Sequence, residues 1–148
     1  MPPAVDLRIL VGFDGSPPSS RALDGAVNLL RDRPGHIDVI YVAHMPSTAA
    51  LSPGAVAELE IGFDEIERDL RGMVDEQLRG REDRWDLQRR QGLIAEELLE
   101  AARGTEAAHP DATVVIVVGS SSLVAHRVVG SVAVSLARHA PVPLIIVP

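Results

Sequence analysis

The sequence contains no cysteine, and only four of its 148 residues are aromatic. The lack of cysteine excludes disulfides, thiolate metal sites and cysteine nucleophiles, and it fits a reducing compartment. Lysine is absent as well, which excludes a P-loop lysine and a Schiff-base lysine. The net charge of −7 disfavours sequence-independent binding of DNA or RNA, which needs a basic surface, so we expect no nucleic-acid partner. Any bound phosphate must rely on backbone N–H groups, a helix N-terminus or a few arginines.

The length and hydropathy of the chain predict one domain, spanning residues 1–148, with an aliphatic core. Hydrophobic residues make up 46% of the sequence, which is enough to fill such a core. The apolar run near the amino end is short and has no basic flank, unlike a signal peptide or a membrane span. We therefore expect a cytoplasmic protein that makes no contact with a membrane.

Strands and helices are predicted to alternate along the whole chain. Short aliphatic runs predict strands, and apolar residues at intervals of three and four predict helices. The predicted strands are Leu7–Phe13, Asp38–His44, a short half-exposed edge strand at Trp85–Gln88, Thr113–Val118 and Val142–Val147. The predicted helices run from the Ser16 cap to Pro34, from Val56 to Gly80, from Leu93 to Arg103 and from Ser131 to His139. This alternation predicts a Rossmann-like α/β fold, a parallel sheet with helices on both faces.

Ligands of such sheets bind beyond the carboxyl ends of the strands, which directs attention to the Asp14 turn, His44 and the loop after Gly119. Gly130-Ser131 opens the last helix, and the free N–H groups of a helix N-terminus favour an anion. An alternative remains open at this point: Gly119 could simply end a strand, and Ser131 could simply cap a helix.

Three segments of the chain resemble the universal stress protein family. They are ILVGFDGSPPSSRAL near the start, VVGSSS after the fourth strand and GSVAVSLARHAPVPLIIVP at the end. The resemblance implies five parallel strands in the order 3-2-1-4-5, the adenine nucleotide alpha hydrolase-like arrangement, and usually a dimer. Some members of the family bind ATP and others do not.

The phosphate loop departs from the pattern of the ATP-binding members. That pattern is Gly, two residues, Gly, nine residues, then Gly-Ser or Gly-Thr. Gly119 and Gly130-Ser131 match its two ends, but Ser122 replaces the middle glycine and only seven residues precede Gly130. The sequence therefore leaves open whether ATP or another adenine nucleotide is bound.

The resemblance implies the following site residues. Asp14, with Gly12 beside it, would line the adenosine side, His44 would lie near adenine, and Val118 and Val132 would contact the nucleotide. The phosphates would meet the backbone at Gly119, Ser121, Ser122, Gly130, Ser131 and Val132, and Arg127 could reach them. Mg²⁺ would bind only with the nucleotide, through phosphate oxygens. Each residue also has a plain structural interpretation: a turn for Asp14, core packing for the valines, and solvent exposure for His44 and Arg127.

The other polar residues predict no further site. His36, His109 and His139 lack metal-like spacing to carboxylates, so we interpret them as surface or structural residues. Five arginines surround the third strand, and we expect them to form a solvent-exposed edge, with a surface for a partner protein as the alternative: Arg79, Arg81, Arg84, Arg89 and Arg90. His126 and Ser131 suggest a hydrolase only weakly, because the sequence has no G-x-S-x-G elbow.

The last strand, Val142–Val147, would offer an unpaired sheet edge, and the resemblance implies that it pairs two copies of the chain. The alternative is an edge that Pro143 and Pro148 protect from pairing. Taken together, the sequence predicts a non-catalytic stress-response regulator that has an altered ATP-type site and an unidentified regulatory protein partner. The alternatives are a nucleotide-free dimeric interaction module and, less favoured, a slow ATPase.

Overall fold

The computed structural model describes residues 5–44, 51–120 and 130–148. Five strands alternate with four α-helices. The strands are β1 (Leu7–Gly12), β2 (Gly35–Ala43), β3 (Trp85–Gln91), β4 (Thr113–Gly119) and β5 (Leu144–Val147). The helices are α1 (Pro17–Leu30), α2 (Pro53–Gln77), α3 (Ile94–Ala108) and α4 (Ser131–His139), and a short 3₁₀ helix, Glu82–Arg84, precedes β3.

The five strands form one parallel sheet in the order β3-β2-β1-β4-β5, which confirms the predicted topology. β1 is central, and it pairs with β2 on one side and with β4 on the other. β3 and β5 are the sheet edges. Because all strands are parallel, their carboxyl ends lie at one end of the sheet and their amino ends at the other.

Aliphatic side chains cover both faces of the sheet, as expected from the continuous apolar strands. Ile9 and Val11 of β1 point to the face covered by α1 and α2, where they pack in one buried cluster with Leu23 and Val74. Leu10 points to the opposite face, into a second cluster with residues of α3 and α4. The helices therefore lie on both faces, as the sequence predicts.

Several element boundaries differ from the sequence predictions. β2 begins at Gly35 rather than Asp38, because the chain already pairs with β1 from Gly35 onward. Gly35 lies so close to Leu7 that a Cβ atom would lie against the Leu7 carbonyl. β3 continues to Gln91, where it still pairs with Ala43. α3 extends to Ala108, and β5 starts only at Leu144.

The arginines around β3 form a solvent-exposed edge only in part: Arg79 is exposed, whereas Arg81, Arg84, Arg89 and Arg90 are half-buried. Arg89 Nη1 lies 2.7 Å from Asp64 Oδ1 on α2, and Arg90 Nε lies 2.7 Å from Glu97 Oε2 on α3. Arg84 donates to backbone carbonyl groups in the turn before β2. These partners lie on other elements, α2, α3 and the turn before β2, so the pairing depends on how those elements pack and not on the local sequence around β3.

Trp85, the only tryptophan of the sequence, begins β3 and packs against the core on the α1/α2 face. None of the helices in residues 5–44, 51–120 and 130–148 has the length and apolar character needed to cross a membrane.

Candidate functional site

A cavity of about 220 Å³ lies at the carboxyl ends of β1, β2 and β4. The amino-terminal ends of α1 and α4 border it. Its described lining consists of Gly12, Phe13, Asp14, Ser16, Pro18, Ser19, Ile40, Val42, Ile94, Leu98, Val118, Gly119, Gly130, Ser131, Val132 and Ala133. The position agrees with the general rule that open parallel sheets bind ligands beyond their carboxyl ends.

The floor of the cavity is apolar. Ile40 and Val42 come from β2, Val118 comes from β4, and Ile94 and Leu98 come from α3. Gly12 keeps this floor open, because a Cβ atom there would lie 3.2 Å from Leu98 Cδ1. A flat aromatic or apolar group fits such a surface better than a charged group does.

Asp14 supplies a carboxylate to the cavity rim. Its Oδ1 accepts a hydrogen bond from the Ser16 backbone N–H at 2.9 Å. Partial burial raises the pKa of the Asp14 carboxyl, but hydrogen bonds from Ser16 and Ser19 outweigh burial and hold that pKa below its ordinary value. Asp14 is therefore ionised at neutral pH and acts as a hydrogen-bond acceptor.

Gly119 is explained by close packing of the backbone. A Cβ atom at this position would lie 2.1 Å from the Pro18 carbonyl oxygen in the first turn of α1. The end of β4 therefore approaches α1 more closely than any other residue would allow. This contact gives Gly119 a structural role beside the phosphate-binding role that the family resemblance implies.

At the amino end of α4, beside the cavity, the first backbone N–H groups have no hydrogen-bond partner among the described residues. Gly130 is the N-cap, and no side chain caps the helix. Ser131 is the first helical residue, so the interpretation of Ser131 as the cap is wrong. Ser131, Val132 and Ala133 line the cavity, and their N–H groups precede the first intrahelical bond, which runs from Val134 N to Gly130 O. Such an end attracts an anion.

The structure brings together seven of the residues singled out from the sequence: Gly12, Asp14, Val118, Gly119, Gly130, Ser131 and Val132. His44 is exposed and lines a neighbouring depression of about 290 Å³, which shares Ser131 and Val132 with the cavity. Ser121, Ser122 and Arg127 lie outside the described residues. Among the described lining residues, Asp14 is the only one with a charged side chain.

Sequence reasoning missed the contribution of α3 to the cavity. Ile94 and Leu98 are four residues apart, so the helical pattern places them on one face. Only the three-dimensional arrangement shows that this face covers the end of β2. Ser16 was recognised as a helix cap, and the structure places it in the cavity wall as well.

A second polar cluster lies at the amino ends of β2 and β3. His36 Nε2 lies 3.1 Å from Asp86 Oδ1 and 3.8 Å from Asp38 Oδ1. The interpretation that His36 has no carboxylates at metal-like spacing is therefore wrong. Burial, and then the neighbouring Asp86, raise the pKa of Asp38 to about 6, although the Arg8 guanidinium opposes the shift.

The side chains of His109 and His139, the other two histidines interpreted as surface or structural residues, each make one contact. His109 Nε2 lies 3.0 Å from Arg8 Nη2, and His139 Nδ1 lies 2.9 Å from the Ser135 carbonyl. Both contacts agree with the structural interpretation of these residues.

Comparison with known proteins identifies relatives over almost the whole chain. The profile of the universal stress protein family matches residues 7–148. The chain is similar to the universal stress protein UspA from Lactobacillus plantarum, at 24% identity and a TM-score of 0.75 over 98% of this chain and 99% of that one. It is similar to a universal stress protein family member from Burkholderia pseudomallei, at 27% identity and a TM-score of 0.64 over 95% of each chain.

A third similar structure is a universal stress protein in complex with cAMP. The two chains are 21% identical, with a TM-score of 0.66 over 96% of this chain and 97% of that one. No curated protein matches the chain.

Proposed function

The chain belongs to the universal stress protein family, and we propose that it is a non-catalytic regulatory protein whose cavity binds an adenine nucleotide. The observation that carries this proposal is the uncapped amino end of α4 beside an apolar floor. A nucleotide needs both features, because its base is flat and weakly polar and its phosphates are anionic.

The cavity offers a separate surface to each part of the nucleotide. Adenine would lie on Ile40, Val42 and Leu98, and the Asp14 carboxylate would accept hydrogen bonds from ribose hydroxyl groups. The phosphates would meet the N–H groups of Ser131 and Val132. The similar protein solved with cAMP binds a ligand of the same chemical class.

The size of the cavity favours nucleotides with few phosphates. Its volume of about 220 Å³ is below the range of roughly 300–1,000 Å³ that is usual for sites enclosing a drug-sized ligand. A nucleotide would therefore be only partly enclosed, with its phosphates at the rim. The loop after Gly119 is two residues shorter than the ATP-binding pattern, so we expect AMP or cAMP to bind at least as tightly as ATP. Mg²⁺ would accompany only the longer nucleotides, through their phosphate oxygens.

The chemistry of Asp14 supports a binding role rather than hydrolysis. A general base near neutral pH needs a raised pKa, whereas the pKa of Asp14 is held below its ordinary value. Its Oδ1 is also committed to the Ser16 N–H. We therefore propose that a bound nucleotide acts as a signal and is not turned over.

Calorimetric titration of the purified chain with AMP, cAMP and ATP–Mg²⁺ tests the proposal. We expect saturable binding by the wild type. Val132→Trp should weaken binding at least tenfold, because the indole fills the cavity at the α4 end. The matched control is Val134→Trp on the same helix, whose side chain is 37% exposed and outside the cavity lining. Absence of heat with all three nucleotides at millimolar concentration would overturn the proposal. An equal loss of nucleotide affinity in Val132→Trp and Val134→Trp would overturn it as well.

A specific feature also favours the second candidate function, a dimeric interaction module. β5 is an edge strand, and Ile145 on it is 38% exposed. Two such edges can pair across a two-fold axis. This role requires no nucleotide, so a titration that shows no nucleotide binding would not contradict it. The oligomeric state tests it separately.

A further inference from the structure

Three metal-ligating side chains converge at the amino ends of β2 and β3, at the opposite end of the sheet from the cavity. His36 and Asp38 are two residues apart on β2, so they project from the same face. Asp86 is the register partner of Asp38 on the adjacent strand β3. Strand pairing therefore places these side chains side by side, although 48 positions separate the two aspartates (86 − 38).

The spacing of the donor atoms is close to that of a first coordination shell. His36 Nε2 is 3.1 Å from Asp86 Oδ1 and 3.8 Å from Asp38 Oδ1, and one donor atom from each residue lies within 4.8 Å of the others. Zn²⁺ binds imidazole nitrogen and carboxylate oxygen at about 2.0–2.2 Å, so two donors of a tetrahedral site lie roughly 3.3–3.6 Å apart. The two measured distances lie on either side of this range.

A second, independent observation concerns the Asp38 carboxylate, which the surrounding described residues satisfy only in part. Its side chain is only 9% exposed, and its Oδ2 atom has no hydrogen-bond partner among the described residues. The Arg8 Nε atom lies 3.9 Å from Oδ2, which is too far for a hydrogen bond. Arg8 instead directs Nη2 toward His109. A buried carboxylate in this state is costly unless a cation or a proton satisfies it.

We propose that His36, Asp38 and Asp86 bind a divalent metal ion, with Zn²⁺ the best match to one imidazole and two carboxylates. Softer ions prefer thiolates, which the sequence lacks, and Mg²⁺ and Ca²⁺ prefer ligand sets made of oxygen alone. Asp86 is 58% exposed and His36 is 23% exposed, so the ion has a path from solvent and room for a water ligand. The bound ion would join the edge strand β3 to β2 and add stability to that edge.

The alternative occupant of the cluster is a proton shared by Asp38 and Asp86, and the experiment separates the two. The full chain is treated with a chelator, exchanged into metal-free buffer and titrated with ZnCl₂ by calorimetry, without nucleotide. We expect one ion per chain and a raised melting temperature. Co²⁺ should show visible absorption bands with intensities that indicate low coordination number.

His36→Gln and Asp86→Asn should each weaken Zn²⁺ binding at least tenfold, and Asp86→Asn should fold normally because the side chain is exposed. His139→Gln, which removes a histidine remote from the cluster, is the matched control and should bind as the wild type does. Arg8→Gln should raise the affinity, because it removes a positive charge near Asp38.

Absence of saturable binding by the wild type, or equal binding by wild type, His36→Gln and Asp86→Asn, would overturn the proposal and leave the shared proton as the occupant. The outcome is independent of the nucleotide site. Val132→Trp should retain full Zn²⁺ affinity, and His36→Gln should retain nucleotide affinity. Failure of one proposal is thus distinguishable from failure of the other.

Discussion

At the scale of single residues, Gly119 is constrained by close packing, which its match to a phosphate-loop pattern does not reveal. A Cβ atom there would lie 2.1 Å from the Pro18 carbonyl oxygen and 2.4 Å from the Pro18 carbonyl carbon. Both atoms belong to backbone, which cannot rotate away as a flexible side chain can. The glycine is therefore required by the fold even without a ligand.

We predict that Gly119→Ala lowers the free energy of unfolding by about 2–3 kcal/mol, since β4 and α1 must separate to accept the methyl group. Urea denaturation measures the change. The matched control is Gly104→Ala in α3, where a Cβ atom would meet nothing within 4 Å. This control should raise stability by about 0.5–1 kcal/mol through helix propensity. Equal stability of wild type and Gly119→Ala would refute the packing explanation.

The sequence directed attention to part of the cavity lining but did not show which residues of other elements complete it. The resemblance directed attention to Asp14, Gly119 and Ser131, and all three line the cavity. The sequence could not show that Ile94 and Leu98 form part of the floor, because that depends on how α3 lies over the sheet. It also missed the cluster at His36, because Asp86 meets Asp38 only through strand register.

At the scale of elements, polar side chains join the edge strand β3 to α2, and Arg89 makes most of the ion pairs between them. Arg89 contacts three carboxylates spaced along one face of α2: Glu60, Asp64 and Glu67, at 3.4, 2.7 and 3.5 Å. The Arg89 side chain is 19% exposed, so it is shielded more than its partners. Removing it would take away the cation that the three carboxylates share, although Glu67 would keep Arg71 at 3.5 Å and Glu60 would keep the Gln91 amide donor at 3.0 Å.

We predict that Arg89→Ala lowers the free energy of unfolding by about 1 kcal/mol, a modest value because the carboxylates remain partly hydrated. The loss should shrink in high salt, which screens the charges. Urea denaturation at two salt concentrations measures both effects. Arg68→Ala, which removes an exposed arginine of α2, is the control and should change stability little. A loss that does not depend on salt would contradict the electrostatic explanation.

The order and type of the elements followed from the sequence because hydrophobic periodicity is local. TVVIVV is apolar after its first residue, and it forms the interior strand β4, in which Val114 to Val118 are buried. The boundaries depended on pairing and were less predictable. β3 extends through the polar residues Arg89–Gln91 because β2 lies beside them, and no local property of RRQ indicates a strand.

At the scale of the whole molecule, the free edge of β5 favours pairing with a second copy. The carbonyl groups of Pro143 and Val147 accept hydrogen bonds from β4 and the residue after it. Backbone groups alternate in direction along a strand, so those of Leu144 and Ile146 face the open edge. The short strand and its flanking prolines restrict this pairing to a narrow register.

We predict that the wild type is a dimer and that Ile145→Glu is a monomer, because the substitution places a charge in the apolar part of the edge. Sedimentation equilibrium measures the mass. Ile61→Glu, on α2 at a position that is 59% exposed, is the matched control and should remain dimeric. A monomeric wild type, or two dimeric variants, would reject the β5 interface.

The position of Trp85 gives the molecule a built-in optical reporter. Trp85 is the only tryptophan in the sequence, and it stands next to Asp86 at the start of β3. The cavity lining at the other end of the sheet contains no indole among its described residues. Intrinsic fluorescence excited at the indole band therefore arises from one edge of the sheet, and Co²⁺ at His36 would quench it at short range. Metal binding at this end of the sheet can thus be followed without an added label and apart from events in the cavity.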